Sequence, residues 1–139
     1  MPKIYYKDVK FRLGKTSNIK NWIVQVIRSE NKRAGDLTFF FIGDEEMKEI
    51  NLEFLKHGYT TDVIAFNYGK KDIISGEIYM SIKTIRRNSK IYKTKLRDEV
   101  LRVMIHGVLH LIGYNDGDED ERRKMKEKED YYLELIGEK

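Results

Sequence analysis

The chain has 139 residues, of which 40% are hydrophobic and 36% are charged, a balance typical of a soluble globular protein. It contains no cysteine, so disulfides and thiolate metal sites are excluded, and a bound metal would need His, Asp, Glu or water as ligands. The formal net charge of +4 permits a polyanionic partner without requiring one. The length predicts one compact domain over residues 1–139.

The sequence does not indicate a membrane partner. The apolar stretches are well short of the roughly 20 residues that a membrane-spanning helix needs. The N-terminal segment MPKIYYKDVK also lacks the apolar middle region of a signal peptide. We therefore expect a cytoplasmic location and no contact with a membrane.

The first predicted element is a short strand, in which Ile4 and Tyr6 alternate with more polar residues. An amphipathic helix follows in TSNIKNWIVQVIRSENK, with Ser17 as its N-cap and Gly35 beyond its end. Its apolar stripe comprises Ile19, Trp22, Ile23, Val26 and Ile27. The continuous apolar run LTFFFI, at 37–42, predicts a central strand that is covered on both faces.

The next segments predict another helix and two further strands. Asp44 opens a helix in GDEEMKEINLEFLKHG, where Met47, Ile50 and Phe54 recur at helical spacing and Gly58 can end the helix. TDVIAF (61–66) and GEIYMSI (76–82) have the composition and alternation of strands, and NYGKKDIISG between them is typical of a turn. Helical patterns then occupy roughly 83–91, 95–113 and 119–136. The order of elements is therefore mixed α and β.

Two histidines stand out on the helix predicted at 95–113. His106 and His110 are four residues apart, so they lie about 40° apart around the helix axis and about 6 Å along it. They project from one face and can share a single ion. Their aliphatic neighbours predict a largely buried helix, where an imidazole needs a hydrogen-bond partner or a metal.

An acidic residue follows the helix at a distance that allows it to join the two histidines. Gly113 is well placed to end the helix in a left-handed conformation and turn the chain so that Asp116 swings back. The resulting pattern, His-x3-His-x5-Asp, supplies three ligands and leaves a position for water. Catalytic zinc commonly has this arrangement, and the ion lowers the pKa of the bound water. The pattern therefore predicts a metal-dependent hydrolase.

Two other interpretations of these residues remain open. The histidines could be core residues hydrogen-bonded to nearby carboxylates or carbonyls, and Asp116 could be the N-cap of the last helix. The spacing also resembles that of zinc peptidases, in which a glutamate after the first histidine acts as general base. Gly107 occupies that place and cannot move protons, which disfavours peptide hydrolysis. Gly107 either opens room beside the metal or lets another element pack closely.

Four ordered motifs resemble the YbeY family of bacterial rRNA maturation endoribonucleases. HGVLHLIGYND is similar to the family's HGxLHLxGYDH signature. Asn51 and Leu52 before TTDVIAF, then GEIYMS, then the acidic helix DEDERRKMKEKEDYYLELIG match other family segments in order and spacing. The similarity covers about residues 40–137. It implies an α/β fold with a small mixed sheet of about four strands, packed with about five helices, and a metal site on a late helix.

The resemblance also implies a site and its metal. His106 and His110 match the first two zinc ligands of the family, and Asp116 stands where a third histidine is expected. An aspartate oxygen can ligate Zn²⁺, but it changes the charge of the site by one unit and is expected to weaken acidification of bound water. Leu55 and His57 replace the family's arginine and lysine. Lys56 and His57 are expected to substitute for that positive charge, and Thr61 and Asp62 to orient the loop beside the site, so these four are the expected substrate-binding residues. Alternatively, His57 is a plain surface residue at a helix end, and Thr61 and Asp62 cap the start of a strand.

The function implied by the resemblance is a single-strand-specific metallo-endoribonuclease that acts in 16S rRNA 3′-end maturation and ribosome quality control. Its partners would be single-stranded rRNA and the ribosomal small subunit. In this hypothesis His106, His110 and Asp116 act as catalytic residues through a metal-activated water. The alternatives are a zinc-dependent peptidase or other metal hydrolase, and a ribosome assembly factor that has no catalytic activity.

Overall fold

The computed structural model describes residues 1–55 and 61–137. In chain order, the elements are β1 (Lys3–Tyr6), α1 (Thr16–Ser29), β2 (Arg33–Ile42), α2 (Asp44–Ile50), a π-helical turn (Asn51–Leu55), β3 (Val63–Asn67), β4 (Ile73–Ser81), α3 (Ile82–Ile91), α4 (Leu96–Ile112) and α5 (Glu119–Ile136). Within these residues, four strands form one sheet in the order β1-β2-β4-β3. Both β1 and β4 are parallel to β2, whereas β3 is antiparallel to β4. The predicted α/β fold with a small mixed sheet is confirmed.

The main hydrophobic core lies on one face of the sheet. The strands contribute buried side chains at every second position, and α1 contributes the whole predicted stripe from Ile19 to Ile27. Helix α4 packs beside it with residues such as Met104 and Val108, which are fully buried. Each such side chain contributes about 1.5–3 kcal/mol when it is removed from water. This core fixes α4, and therefore the two histidines, against the sheet.

The opposite face of the sheet carries α2 and a smaller cluster. Met47 on α2 is buried against Ile42 and Ile64, and the rings of Phe40 and Tyr79 stack with centroids 4.7 Å apart. Strand β2 has neighbours on both edges, as the run LTFFFI predicted. Among the described residues β3 is an edge strand, paired only with β4.

Gly107 allows α4 to approach the sheet closely. A Cβ atom at this position would lie 2.8 Å from Cγ2 of Ile78 on β4, which is nearer than side-chain carbons normally pack. Ile78 is fully buried and β-branched, so it cannot easily move away. Of the two roles expected for Gly107, close packing of another element is therefore the one that the structure supports.

Several predicted boundaries were wrong. Helix α1 begins at Thr16 without a side-chain cap, after Lys15 in a left-handed conformation, so Ser17 is not the N-cap. Gly35 lies beyond the end of α1, as predicted, but it is already inside β2, because the chain turns at Asn31, which has a positive φ of 62°. Strand β4 begins at Ile73, within the segment predicted as a turn, because its residues pair with the start of β2.

The helix predicted from Asp44 also differs in its second half. Regular α-helix ends at Ile50 and a π-helical turn follows, in which Phe54 is 58% exposed and contacts the ring of Phe66 edge-on. Gly58, the predicted end of this helix, lies outside the described residues. Ile82 begins α3, because Ser81 accepts a hydrogen bond from the Thr84 N–H and caps that helix. No described helix is long and apolar enough to span a bilayer.

Glu30, just after α1, connects the end of that helix to the segment after α4 and to α5. Its carboxylate accepts hydrogen bonds from the Tyr114 hydroxyl (2.6 Å), from Lys128 Nζ (3.0 Å) and from the Tyr132 hydroxyl. Burial raises the pKa of Glu30, but these three donors outweigh that effect and hold the pKa below its usual value. The folded state therefore favours the ionised carboxylate.

We predict that Glu30→Gln lowers the free energy of unfolding by about 1–3 kcal/mol at neutral pH, because the tyrosine hydroxyls lose a charged acceptor. Since the folded pKa is depressed, this stabilisation is present above the unfolded pKa of 4.5 and is lost as pH falls through the folded pKa. Denaturant unfolding at about pH 7 and about pH 4 measures the difference. Glu127→Gln, at an exposed position on α5, is the control. Equal effects of the two substitutions at both pH values would contradict the prediction.

Candidate metal centre

Helix α4 places His106 and His110 on one side, one turn apart. Their Nε2 atoms are 3.0 Å from each other and their ring centroids are 4.6 Å apart. The neighbouring residues Ile105 and Leu109 are fully buried, whereas the imidazole side chains are 22% and 29% exposed. The pair thus lies at the border between the core and an open cavity.

Asp116 reaches both imidazoles because α4 ends at Gly113. The φ of this glycine is 126°, a value that other residues rarely adopt, and it turns the chain back over the end of the helix. Oδ2 of Asp116 lies 3.2 Å from Nε2 of His106 and 3.2 Å from Nε2 of His110. This is the position that the sequence predicted for Asp116.

The competing interpretation of Asp116 as the N-cap of the last helix is wrong. Asp118 caps α5: its side chain accepts a hydrogen bond from the Glu121 N–H at 2.8 Å. The Glu121 side chain in turn accepts from the Asp118 N–H, which completes a capping box. Asp116 is therefore not needed to start α5, and its carboxylate remains beside the histidines.

Glu129 on α5 orients His106, and sequence reasoning missed it. Oε2 of Glu129 lies 2.6 Å from Nδ1 of His106, while Oε1 accepts a hydrogen bond from Arg102 at 2.9 Å. Arg102 also pairs with Asp130. One signal was available: Glu129 shares a helical face with Met125 and Tyr132, both buried, and an acid on a buried face needs a charged or hydrogen-bonding partner.

The contact with Glu129 sets the protonation pattern of His106. A carboxylate only accepts hydrogen bonds, so Nδ1 carries the hydrogen and Nε2 of the neutral ring has a free lone pair. That lone pair faces Oδ2 of Asp116 at 3.2 Å, and two acceptors at this distance repel each other. A proton or a cation between them removes the repulsion. The arrangement therefore favours a positive centre at this point.

Burial and nearby charges shift the pKa values of His106 and Asp62. Burial lowers the pKa of His106, but Glu129, Asp116 and Asp62 outweigh it and raise the pKa above its usual value. Burial raises the pKa of Asp62, and the opposing attraction of His106 does not cancel that effect. Three carboxylates therefore lie close enough to act on His106, and they would also attract a metal cation at the same place.

The three nearest donor atoms fit a divalent metal. The Nε2 atoms of the histidines and a carboxylate oxygen of Asp116 all lie within 4.8 Å of one another. Around tetrahedral Zn²⁺, with ligands at about 2.0–2.1 Å, donor atoms are separated by about 3.3 Å, close to the 3.0–3.2 Å found here. Two imidazoles and one carboxylate form a donor set known for zinc. These residues could therefore hold one such ion.

A cavity of about 410 Å³ opens in front of this cluster. Thr61 and Asp62, two of the expected substrate-binding residues, line it together with residues of β3 and the three candidate ligands. Because β3 is an edge strand, its outer edge forms one wall of the cavity. Lys56 and His57, the other two expected residues, lie outside the described part of the chain. Contact with substrate stays a prediction for all four.

Comparison with known proteins identifies the family. Residues 4–137 match the sequence model of Endoribonuclease YbeY. The chain belongs to the YbeY family. The match extends to the N-terminal region, which lies beyond the segments that first suggested the resemblance.

Individual relatives agree over nearly the whole chain. The Endoribonuclease YbeY of Flavobacterium psychrophilum is 40% identical over 129 residues, which are 93% of this chain and 92% of the relative. That of Karelsulcia muelleri is 42% identical over 135 residues, covering 97% and 96% of the two chains. The solution structure of TM1509 from Thermotoga maritima matches with a TM-score of 0.69 and 28% identity, and covers 98% of this chain and 89% of that one.

We predict that Glu129→Gln weakens zinc affinity by about 10–100-fold, because a neutral amide orients His106 less firmly and makes its imidazole less basic. Competition titration against a chromophoric chelator measures the affinity. Asp130→Asn is the matched control, since Asp130 pairs with Arg102 but is not in contact with His106. If both variants bind zinc as tightly as the unsubstituted protein, Glu129 has no positioning role.

Proposed function

We propose that this protein is a metal-dependent endoribonuclease that hydrolyses single-stranded RNA and acts in 16S rRNA 3′-end maturation and ribosome quality control. The observation that carries the proposal is the match of residues 4–137 to an endoribonuclease family, with the three converging donor atoms inside the matched region. The whole chain would act as one domain, in the cytoplasm, on RNA of the ribosomal small subunit. The positive net charge of +4 suits a polyanionic substrate.

In this proposal His106, His110 and Asp116 are the ligands of one Zn²⁺ ion. The bound ion would lower the pKa of a water molecule and stabilise negative charge on the phosphate oxygens of the substrate. His106 and His110 supply neutral nitrogen donors from a rigid, buried helix, so little motion is needed when the ion binds. Glu129 keeps the Nδ1 hydrogen of His106 on the side away from the cavity. Asp116 supplies the third donor from a loop.

Thr61 and Asp62 are proposed to contact the substrate from the wall opposite the histidines. Both line the cavity in front of the cluster. The Thr61 hydroxyl can donate a hydrogen bond to a phosphate oxygen, as can Asp62 when it is protonated. Burial raises the pKa of Asp62. Thr61 would orient the phosphate by a hydrogen bond, with Asp62 beside it in the cavity wall.

Peptide hydrolysis, the alternative suggested by the histidine spacing, is less well supported. Its general base would stand at position 107, where the glycine packs against Ile78 and no side chain fits without displacing a buried residue. The matched family is also described as an endoribonuclease. A peptide turnover assay with the zinc-loaded protein separates the two activities.

We predict that cleavage of a single-stranded oligoribonucleotide is lost when a chelator is added and returns when zinc is restored. His110→Ala is expected to lower the rate by at least 100-fold, because one of three ligands is removed. Gel analysis of end-labelled RNA measures the rate, with Lys124→Ala, an exposed position on α5, as the control variant. Equal cleavage with chelator, without it and by His110→Ala would reject the proposal. Co-sedimentation with the ribosome without any metal-dependent cleavage would instead favour a role as a non-catalytic assembly factor.

We also predict that Asp116→Ala, purified from zinc-supplemented medium, contains much less zinc than the unsubstituted protein. The carboxylate is one of only three protein donors in the described site, and its charge offsets the positive charge of the ion. Elemental analysis of protein freed from loose metal measures the zinc content. Asp118→Ala serves as control, because Asp118 caps α5 and does not face the cluster. Unchanged zinc in Asp116→Ala would remove Asp116 from the ligand set.

A further inference from the structure

A second cavity, of about 550 Å³, adjoins the candidate metal centre on the α5 side. His106 and Asp116 line both this cavity and the one bounded by β3. The proposed ligands therefore stand between two openings, one on each side. A strand that crosses the metal centre would have to occupy both. The residues that line the second cavity also include Tyr92, Arg122 and Lys126.

The charged groups deep in this cavity already have partners. Glu129 accepts a hydrogen bond from Arg102 and contacts His106, and Glu99 accepts one from the Thr94 hydroxyl at 3.1 Å. These contacts hold the inner wall in one arrangement.

Arg122 and Lys126 are the cations at the outer rim of this cavity. Arg122 and Lys126 lie one helical turn apart on α5, so both face the cavity, and both are exposed. Arg122 donates a weak hydrogen bond to the Gly117 carbonyl at 3.4 Å. Within residues 1–55 and 61–137, no carboxylate forms an ion pair with either side chain. Two cations one turn apart thus remain available for an anionic ligand.

An aromatic side chain faces the same cavity. Tyr92, which follows the last residue of α3, lines the cavity and is 64% exposed. An exposed ring beside unpaired cations is the combination that binds single-stranded nucleic acid, since bases stack on the ring and phosphates contact the cations. A peptide ligand would bind this combination of ring and cations less tightly, because a peptide backbone has no repeating negative charge.

We infer that Tyr92, Arg122 and Lys126, here called the basic groove, bind the RNA strand on one side of the phosphate that is cut. Arg122 and Lys126 contact phosphates, and Tyr92 stacks on a base. The strand then crosses the metal centre and continues into the cavity bounded by β3. This inference rests on the proposed function, because it assigns a path to the same RNA substrate.

The phosphate contacts are tested by the salt dependence of RNA binding. Fluorescence anisotropy with a labelled single-stranded oligoribonucleotide is measured over a series of salt concentrations, with chelator present so that the RNA stays intact. Each phosphate contact contributes about 0.7 to the slope of log Kd against log salt for a single strand. We expect the double variant R122A/K126A to bind more weakly and to reduce the slope by about 1.4, twice that contribution.

The control is R123A/K124A, which removes the same two charges from the same helix. Arg123 pairs with Asp120 and Lys124 lines a different cavity, so neither belongs to the basic groove. Its slope is expected to stay close to that of the unsubstituted protein. Thermal unfolding of both double variants verifies that they are folded, which is expected because all four positions are exposed.

Stacking is tested separately at Tyr92. We expect Tyr92→Ala to weaken RNA binding by roughly 5- to 150-fold, and Tyr92→Phe to retain the affinity because the ring remains. Tyr131→Ala is the control, since Tyr131 is also exposed but lines the cavity on the other side of α5. A Phe variant as weak as the Ala variant would show that the ring does not stack on a base.

The experiments give different results if the basic groove does not bind RNA and if the proposed function is wrong. If the unsubstituted protein cuts RNA but R122A/K126A has the same affinity and slope as R123A/K124A, the basic groove is rejected and the nuclease proposal stands. If the unsubstituted protein neither binds nor cuts single-stranded RNA, both are overturned. Weaker binding by R122A/K126A, together with a reduced slope and an unchanged control, supports the groove.

Discussion

The contact between the Glu129 carboxylate and Nδ1 of His106 is the interaction on which the site depends. It is a contact of 2.6 Å between two helices, and it determines which nitrogen of His106 faces the cavity. Without that constraint the imidazole could present either nitrogen, and the three donor atoms would not converge. Arg102 adds a second hydrogen bond to the same carboxylate, so the negative charge of Glu129 is held in place by two partners.

Two glycines determine where the two histidines and Asp116 lie. Gly107 lets the helix lie close to β4, and Gly113 ends it in a conformation with positive φ. The first sets the depth of the histidines relative to the core, and the second directs Asp116 back over the helix end. Both effects are steric, so they hold the donor atoms before any ligand arrives. Such preorganisation reduces the free-energy cost of ordering these side chains when a metal binds.

The electrostatic arrangement around the site separates two kinds of charge. The carboxylates of Glu129, Asp116 and Asp62 lie around His106, and their negative charge suits a divalent cation. Arg122 and Lys126 stand at the outer rim of the neighbouring cavity, where they suit a phosphate backbone. The two kinds of charge therefore suit two different ligands, a cation in the inner site and an anionic strand at the rim.

The sequence by itself determined the features that depend on residues close together in the chain. The helical repeat placed His106 and His110 on one face, Gly113 predicted the turn that returns Asp116, and the last helix was predicted within its observed bounds of 119–136. The strand order of the sheet, the start of β4 at Ile73 and the contact between His106 and Glu129 were decided by the tertiary structure. The reason is physical: helical periodicity and glycine conformation are local properties. Pairing between strands, and contacts between residues 23 positions apart on different helices, depend on how whole elements pack.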